Sequence, residues 1–440
     1  MDAKIKRRKK RKRDKMVEKE KFEFIDLNYR PKDDLICLLK IKPAKQEEFR
    51  KAANDVASES SIGTWTKVGS SKDYVKKLRA KVFFIHGNFI KIAYPSELFE
   101  PDNVPNILSS VAGNIFGMKA VKSIRLEDVS FPKEIIRSFS GPKYGIKGVR
   151  KIMKVKKRPL VGTIIKPKLG LITEDHAQSA YESWIGGCDI VKDDENLASQ
   201  EFNEFEKRLV KTLEMADRAE SETGEKKAYL VNVTAETKEM IKRAQLVENQ
   251  GGKYVMLDIL TSGWAALQTL REANFKMAIH AHRAMHAAMD RNPDQGISMM
   301  VLGDFARLIG VDQIHIGTGI GKLEGDIRDI KEIKEDIEQS SVKATHNRLA
   351  QKWGKIKPVL GVSSGGLHPG HVPFLIRHLG KDLVIQAGGG IHGHPAGTAA
   401  GATAMRQAVD AVMKGETLKE YAKDHKELRE ALEFWKEIKW

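Results

Sequence analysis

A chain of 440 residues is too long for one small core, and its 41% hydrophobic and 31% charged residues are typical of a soluble globular protein with two domains. No apolar run approaches the length of a membrane span, and the N-terminus lacks the apolar stretch of a secretory signal. Two cysteines, Cys37 and Cys188, are too few for a disulfide framework, which favours a location in the reducing cytoplasm.

Much of the net charge of +17 lies at the N-terminus, where residues 2–15 hold ten Lys or Arg and two Asp, a net +8. Such an arm can bind nucleic acid by counterion release or serve as a nuclear address. A solvated, disordered tail is the commoner explanation of a charge run. Met16 can also be the true start, with residues 1–15 an extension. Nucleic acid is therefore not the partner that we expect.

The region from residue 16 to 140 has the mixed pattern of a small α+β domain. Gly141-Pro142 and a basic connector, Arg150–Arg158, separate it from the larger region 141–440. Apolar spacing within it predicts strands at Leu35–Ile41, Val82–Tyr94 and Met118–Val129, and helices at Lys45–Val56 and Asn103–Val111.

From Pro159 onward, short apolar strands alternate with stretches long enough for helices. The predicted strands are Leu160–Ile165, Cys188–Val191, Ala228–Val233, Tyr254–Ile259, Met277–Ile279, Gln313–Ile316, Pro358–Val362 and Leu383–Ile385. The predicted helical stretches include Glu174–Trp184, Glu201–Glu220, Glu236–Glu248, Ala284–Leu308 and Ala396–Met413. This alternation predicts an eightfold β/α (TIM) barrel with a C-terminal helical extension. A doubly wound sheet fits less well, because it normally has fewer strands and no G-x-G-x-x-G follows the first one.

Polar residues or glycines lie at the end of every predicted strand or directly after it, at the face where barrel enzymes build their active sites. They therefore predict a single enzyme site. In strand order they are Lys166 and Lys168; Lys192, Asp194 and Glu195; Asn232; Asp258; His280, His282 and Arg283; His315; Ser363–Gly366; and Gly388–Gly390.

The segment VKDDEN offers ligands for a metal ion. Alternate residues of a strand share a face, so Lys192 and Asp194 point together, Asp193 points away, and Glu195 can swing back. Two carboxylates suit Mg²⁺. Lysine becomes an oxygen ligand only if CO2 carbamylates it. An ion-pair network without a metal is the alternative.

Glycine-rich turns after the last two strands predict phosphate sites, at Ser364, Gly365 and Gly366 and at Gly388 and Gly389. Arg283 and His315 are candidates for a second phosphate. The alternative is that these glycines only form tight turns.

The histidines after the fifth strand do not form a zinc motif, since no H-E-x-x-H is present; His282 is a candidate general base, and His280 can be a packing residue. The loop 317–325 carries Lys322 and suits a mobile lid, or else an ordinary surface loop.

Together these motifs resemble the large subunit of ribulose-1,5-bisphosphate carboxylase/oxygenase (RuBisCO), from about residue 25 to the C-terminus. The sequences of the motifs are most similar to those of archaeal type III forms, which work without a small subunit. The motifs are ESSIGTW (59–65), AGNIFGMK (112–119), GTIIKPKLG (162–170), GGCDIVKDDEN (186–196), HAHRAMHAA (280–288), IHIGTGIGKLEG (314–325), SSGGLHPG (363–370) and QAGGGIHGHP (386–395).

The resemblance implies a ferredoxin-like N-terminal domain before the barrel and a role for each matching residue. Lys192 would carry an activating CO2 as a carbamate and bind Mg²⁺ with Asp194 and Glu195. The carbamate would assist removal of the C3 proton of ribulose 1,5-bisphosphate, and the enediolate would attack CO2 or, in a side reaction, O2.

Other residues would serve the later steps, again by resemblance. Lys166 would transfer protons, Lys168 would polarise the reacting oxygens, and His282 would act in hydration and cleavage. Lys322 would close over the new carboxylate with Glu59 and Asn114.

The resemblance also divides the phosphate sites. Thr64, Trp65, Gly366, Gly388 and Gly389 would bind one phosphate, and Arg283, His315 and Ser364 the other. We also assign Gly365 and Gln386 to substrate binding.

In the family, residues of the N-terminal domain complete the site of the neighbouring subunit, which implies a homodimer or a ring of dimers. Archaeal relatives use the reaction in nucleotide ribose salvage. A RuBisCO-like sugar-phosphate enolase or isomerase is the alternative, but Lys166, Lys322, Glu59 and Thr64 are all retained here. Gly319, in place of a bulkier lid residue, and Ile316, in place of a small polar one, are departures.

Overall fold

A computed structural model describes residues 22–45, 48–66, 68–321 and 325–436 of the chain. These residues form two compact units. The first contains the described residues up to Phe139 together with His286–Leu302 and Ser341–Gly354. The second contains Ser140–Met285, Gly303–Ser340 and the described residues from Lys355 onward.

Strands and helices alternate along most of the chain. The strands are β1 Asp34–Pro43, β2 Lys81–His86, β3 Phe89–Pro95, β4 Val121–Ser130, β5 Leu160–Ile164, β6 Ile190–Lys192, β7 Ala228–Asn232, β8 Tyr254–Asp258, β9 Ala278–His282, β10 Gly296–Ile297, β11 Gln313–His315, β12 Ser341–Val342, β13 Gln351–Lys352, β14 Leu360–Ser364 and β15 Leu383–Gln386. The helices are α1 Phe49–Glu59, α2 Val104–Val111, α3 Lys133–Ser138, α4 Gly145–Met153, α5 Thr173–Ile185, α6 Phe205–Thr223, α7 Thr237–Asn249, α8 Ile259–Ser262, α9 Trp264–Glu272, α10 His286–Asp290, α11 Met299–Ile309, α12 Ile327–Glu338, α13 Val372–Leu379, α14 Gly389–His392, α15 Thr398–Lys414, α16 Leu418–Tyr421 and α17 Lys426–Phe434.

The first unit is built on a sheet with the order β10-β4-β1-β3-β2. β1 is central and antiparallel to both β3 and β4. Its alternate residues Leu35, Cys37 and Leu39 are fully buried, as expected for a strand with one face on a core. The chain order β1-α1-β2-β3-α2-β4 is the split βαβ pattern of a ferredoxin-like fold. The expected α+β domain is confirmed.

The prediction of one strand over Val82–Tyr94 was wrong, because this run folds into the hairpin β2–β3. His86 and Phe89 are register partners on either side of a two-residue turn, Gly87-Asn88. Gly87 has φ +55°, a left-handed conformation that glycine adopts without strain. Two-residue turns of this kind match the twist of antiparallel strands.

Eight parallel strands of the second unit close into a barrel, with the order β11-β14-β15-β5-β6-β7-β8-β9. The predicted barrel is therefore confirmed, and each observed strand overlaps the run expected for it. The strands are short and buried on both faces, which is why their sequences are nearly continuous apolar runs.

The basic connector expected at Arg150–Arg158 is wrong in its first part, because Gly145–Met153 forms helix α4. Val149 and Met153 of this helix are buried in a core cluster with Leu160, Ile190 and other strand residues. The apolar face of α4 thus packs onto the end of the barrel where the strands begin, and its basic residues lie on its other side.

The stretch 284–308, expected to be helical, contains two helices separated by a strand. α10 ends at Asp290, and β10 pairs with β4 through Gly296 and Arg125 before α11 begins. Gly296 has φ +119°, and a Cβ there would lie 1.9 Å from the carbonyl oxygen of Met289. The chain therefore cannot continue as one helix through this point.

Cys37 and Cys188 are both buried and free, so neither forms a disulfide. Among the residues that the structure describes, no helix combines the length and the apolar character needed to cross a membrane.

Candidate active site

The barrel brings the predicted polar residues together at the ends of neighbouring strands. Ile164 of β5 is the register partner of Lys192 at the end of β6, and Asp258 of β8 is the partner of His282 at the end of β9. Residues that lie 28 and 24 positions apart in the sequence are therefore adjacent in space.

Lys192 lies at the centre of this cluster, with only 1% of its surface exposed. Its Nζ is 3.6 Å from Oε2 of Glu195 and donates a hydrogen bond to the carbonyl of Asp193 at 2.7 Å. Burial lowers the pKa of Lys192, and the carboxylates of Glu195, Asp194 and Asp258 oppose that shift only in part. The amine is thus more easily deprotonated than an exposed lysine.

Two further lysines contact the carboxylates beside Lys192. Nζ of Lys166 lies 2.7 Å from Oδ2 of the buried Asp194, and Nζ of Lys168 lies 3.9 Å from Oε1 of Glu195. Although burial opposes ionisation, the charge of Lys192 holds the pKa of Glu195 down to about 2. Glu195 is therefore a carboxylate at neutral pH, as a metal ligand must be.

His282 is oriented by Asp258, a residue at a strand end for which no role was predicted. Nδ1 of His282 lies 2.5 Å from Oδ1 of Asp258. Because a carboxylate only accepts, Nδ1 carries the proton and Nε2 is left to face the site, 3.6 Å from Oε2 of Glu195. This is the arrangement of a general base held by a carboxylate.

His280 is not a mere packing residue. Its Nδ1 lies 2.9 Å from Oε1 of Gln313, and its Nε2 lies 2.9 Å from Nε2 of His315. Burial lowers the pKa of His280 to about 3. Burial, His282 and His280 hold the pKa of His315 well below its ordinary value. Both rings are therefore neutral at pH 7.

The two glycine-rich turns pack against each other at the ends of β14 and β15. A Cβ on Gly390 would lie 2.0 Å from the carbonyl oxygen of Leu367, and one on Gly388 would lie 3.0 Å from Cε of Lys166. The start of the predicted lid also lies here, since a Cβ on Gly321 would be 2.6 Å from the carbonyl oxygen of Gly365. Backbone amides can thus approach a ligand next to Lys166.

Other predicted substrate-binding residues of the barrel lie near these turns. Ser364 ends β14 and Gln386 ends β15, and the two are register partners. Gln386 is fully buried, and neither of its side-chain polar atoms has a hydrogen-bond partner within the described residues. Since a buried amide is costly to leave unpaired, Gln386 stays a candidate for contact with a ligand. Arg283, also buried, follows β9.

The remaining predicted residues belong to the first unit. Glu59 ends α1, and Asn114 is exposed at the start of a short 3-10 helix. Thr64 is exposed, and Trp65 is 92% exposed. An apolar ring so exposed is typical of a surface that another molecule covers. Lys322 lies outside the described residues, so its role stays a prediction.

Comparison with known families agrees with this geometry. The domain described as "Ribulose bisphosphate carboxylase large chain, catalytic domain" matches residues 145–435, and the corresponding N-terminal domain matches residues 23–135. The chain belongs to the RuBisCO large-chain family.

Several archaeal RuBisCO proteins are similar to this chain. The ribulose bisphosphate carboxylase of Methanocaldococcus jannaschii is 53% identical over 427 residues, covering 94% of this chain and all of that protein. The dimeric RuBisCO of Hyperthermus butylicus aligns with a TM-score of 0.90 and 47% identity, over 95% of this chain and 99% of that one. The octameric RuBisCO of Pyrococcus horikoshii aligns with a TM-score of 0.88 and 48% identity, over 95% of this chain and 97% of that one. Carboxylation of ribulose bisphosphate, a lyase reaction, is therefore the activity of this chain.

Proposed function

We propose that Lys192, Asp194 and Glu195 bind Mg²⁺ after Lys192 has been carbamylated by CO2, and that the surrounding barrel residues carry out the carboxylation of ribulose 1,5-bisphosphate. The observation that carries this proposal is a buried lysine with a lowered pKa beside two carboxylates. A metal with hard-oxygen preference fits Asp194 and Glu195, and it fits Lys192 only after conversion to a carbamate.

Activation needs the neutral amine of Lys192, because only its lone pair can form a bond to the carbon of CO2. One proton leaves the nitrogen as the C–N bond forms. Burial favours this neutral form. The resulting carbamate, together with the carboxylates of Asp194 and Glu195, would form a cluster of anions that binds a cation. When bound, Mg²⁺ and the carbamate supply Lewis-acid polarisation and a basic oxygen.

Lys166 is the proton carrier that we assign to the other side of the site. Its Nζ is held by Asp194 at 2.7 Å, and its Cε lies 3.0 Å from the position of a Cβ on Gly388. An ammonium in this position can donate the last proton of the reaction. The acceptor is the carbanion that forms when the six-carbon intermediate is cleaved. Lys168, 3.9 Å from Glu195, stabilises negative charge that develops on substrate oxygens.

His282 acts on water in this proposal. With Nδ1–H committed to Asp258, its Nε2 can accept a proton from the water that hydrates the new ketone. The two glycine turns, Ser364 and Gln386 hold one side of the substrate, and Arg283 binds the phosphate at the other end, on the side of the site where His315 lies.

We extend the proposal to the assembly. Glu59, Thr64, Trp65 and Asn114 would complete the site of a second copy, which accounts for the exposure of Trp65. A homodimer, or a ring of dimers without a small subunit, is therefore the active form. We place the enzyme in the cytoplasm, in nucleotide ribose salvage, with oxygenation as a side reaction.

The test is incorporation of labelled CO2. The purified protein, preincubated with bicarbonate and Mg²⁺, should convert ribulose bisphosphate and labelled CO2 into labelled 3-phosphoglycerate, and omission of Mg²⁺ should stop the reaction. Consumption of the bisphosphate without label in the product would favour a RuBisCO-like enolase or isomerase and contradict the proposal.

A further inference from the structure

Asp193 lies between two proposed metal ligands, and its carboxylate points to the opposite side of the strand. It is fully buried. Oδ1 accepts a hydrogen bond from the hydroxyl of Tyr229 at 2.6 Å and lies 3.2 Å from Nε2 of His176. Oδ2 accepts from Nε of Arg208 at 3.3 Å and from the backbone N–H of Asn232 at 2.9 Å.

Asp193 is held as an anion by these donors. A buried carboxylate with three hydrogen-bond donors resists displacement, because losing any one of them leaves a charge or a dipole unpaired in the protein interior.

Two of these donors also hold the loop that follows β6. Arg208 donates from Nη1 to the carbonyl of Asn203 at 2.7 Å and from Nη2 to the carbonyl of Ala198 at 2.6 Å. The side chain of Asn232 donates to the carbonyls of Glu195 and Leu197 at 3.1 and 3.0 Å. The backbone of Glu195 is thus fixed by the same network.

We propose that Asp193, through Tyr229 and Arg208, is a positioning residue that sets the geometry of Lys192, Asp194 and Glu195 for binding CO2 and a divalent cation. Asp193 directly follows β6, and its bonds to Tyr229 and Arg208 hold its side chain outside the barrel. Because side chains of an extended chain alternate, this anchor directs its neighbours Lys192 and Asp194 to the opposite side. The inference rests on the proposed function of Lys192, Asp194 and Glu195.

Asp189, just before the other end of the same strand, is a matched control. It is also fully buried, with its two carboxylate oxygens 2.6 and 2.8 Å from the guanidinium of Arg158 and a third bond from the N–H of Val161. It anchors the start of β6, away from the metal ligands. Its loss should affect folding but leave the ligand geometry unchanged.

The experiment compares Tyr229→Phe, Asp193→Asn and Asp189→Asn with the wild-type chain. The first readout is the dissociation constant of Mn²⁺, measured from the free Mn²⁺ signal in electron paramagnetic resonance with bicarbonate present. The second is the melting temperature without metal. We expect Tyr229→Phe and Asp193→Asn to weaken Mn²⁺ binding by about tenfold or more, and Asp189→Asn to lower the melting temperature with an unchanged dissociation constant.

Unchanged Mn²⁺ binding by Tyr229→Phe, which removes only a hydroxyl, would overturn the positioning role even if Asp193→Asn fails to fold. An equal weakening by Asp189→Asn would also overturn it, since a general loss of stability would then be the cause. If the wild-type chain itself binds no Mn²⁺ with bicarbonate, the proposed metal site is wrong, and the positioning role falls with it.

Discussion

The Nε2 atoms of His280 and His315 lie 2.9 Å apart, so one proton is shared between two neutral rings. The second nitrogen of His280 faces Oε1 of Gln313 at 2.9 Å and must donate to it. Nε2 of His280 is therefore the acceptor, and Nε2–H of His315 donates. A hydrogen-bonded line of three side chains thus sets which nitrogen of His315 carries the proton.

The first prediction concerns stability at acidic pH. The pKa of His280 is lowered to about 3 and that of His315 well below 6.5, whereas both residues titrate near 6.5 when unfolded. The unfolded chain thus binds more protons below pH 6.5. As the pH decreases below 6.5, the free energy of unfolding should decrease by up to about 1.4 kcal/mol per pH unit for each histidine. Above pH 6.5 the two histidines should not change it.

Urea denaturation between pH 7.5 and 4.5 measures this effect in the wild-type chain and in His280→Gln. Glutamine does not titrate, so the pH dependence of the variant should be shallower. Replacing the exposed His346 by Gln is the control and should leave the slope unchanged. Parallel curves for wild type and His280→Gln would contradict the buried, neutral state of His280.

The second prediction is that Lys192→Ala abolishes carboxylation while the protein stays folded. The variant cannot form a carbamate and therefore loses one proposed metal ligand. Circular dichroism and the labelled-CO2 assay give the two readouts. The control is Lys227→Ala, which removes another buried lysine, one that pairs with Glu225 and the carbonyl of Cys188. Activity that survives in Lys192→Ala would refute the mechanism.

The third prediction separates proton transfer from metal binding. Lys166→Gln removes the ammonium that lies 2.7 Å from Asp194, and no other proposed ligand is changed. The turnover number should fall by about 10²-fold or more, as is usual when a general acid is lost. Mn²⁺ binding should persist or strengthen, because the cation no longer competes with an ammonium for Asp194. Loss of Mn²⁺ binding would show instead that Lys166 is structural.

The barrel could be predicted from the sequence because most of its strands are buried on both faces and are therefore mainly apolar runs. The apolar pattern did not reveal the turn at Gly87 that divides β2 from β3, and it did not reveal the helix Gly145–Met153. Their limits depend on pairing and packing with distant residues, such as Val149 with Leu160. The strand β10 could not be predicted for the same reason, because its two residues form a strand only by pairing with β4.

The positions of the site residues could be predicted from the sequence, but their hydrogen-bond partners could not. Residues at strand ends were recognisable by position, and Asp193 was expected to point away from Lys192, as it does. The partners were not recognisable. Asp258 contacts His282, and Gln313 contacts His280, because each pair is in register between neighbouring strands. Register between parallel strands is set by crossovers and barrel closure, which local sequence patterns do not report.

The last prediction uses two adjacent glycines of α14. A Cβ on Gly390 would lie 2.0 Å from the backbone oxygen of Leu367, whereas one on Gly389 meets no atom within 4 Å. Gly390→Ala should therefore lower stability by about 1–3 kcal/mol and raise the KM for ribulose bisphosphate, because it forces the two glycine turns apart. Gly389→Ala should keep its stability, or gain a little by restricting the unfolded chain, yet still raise KM if its amide approaches a phosphate. Thermal denaturation and steady-state kinetics of both variants decide the matter. Equal melting temperatures would show that the turns are not in backbone contact, and an unchanged KM in Gly389→Ala would remove this turn from the phosphate site.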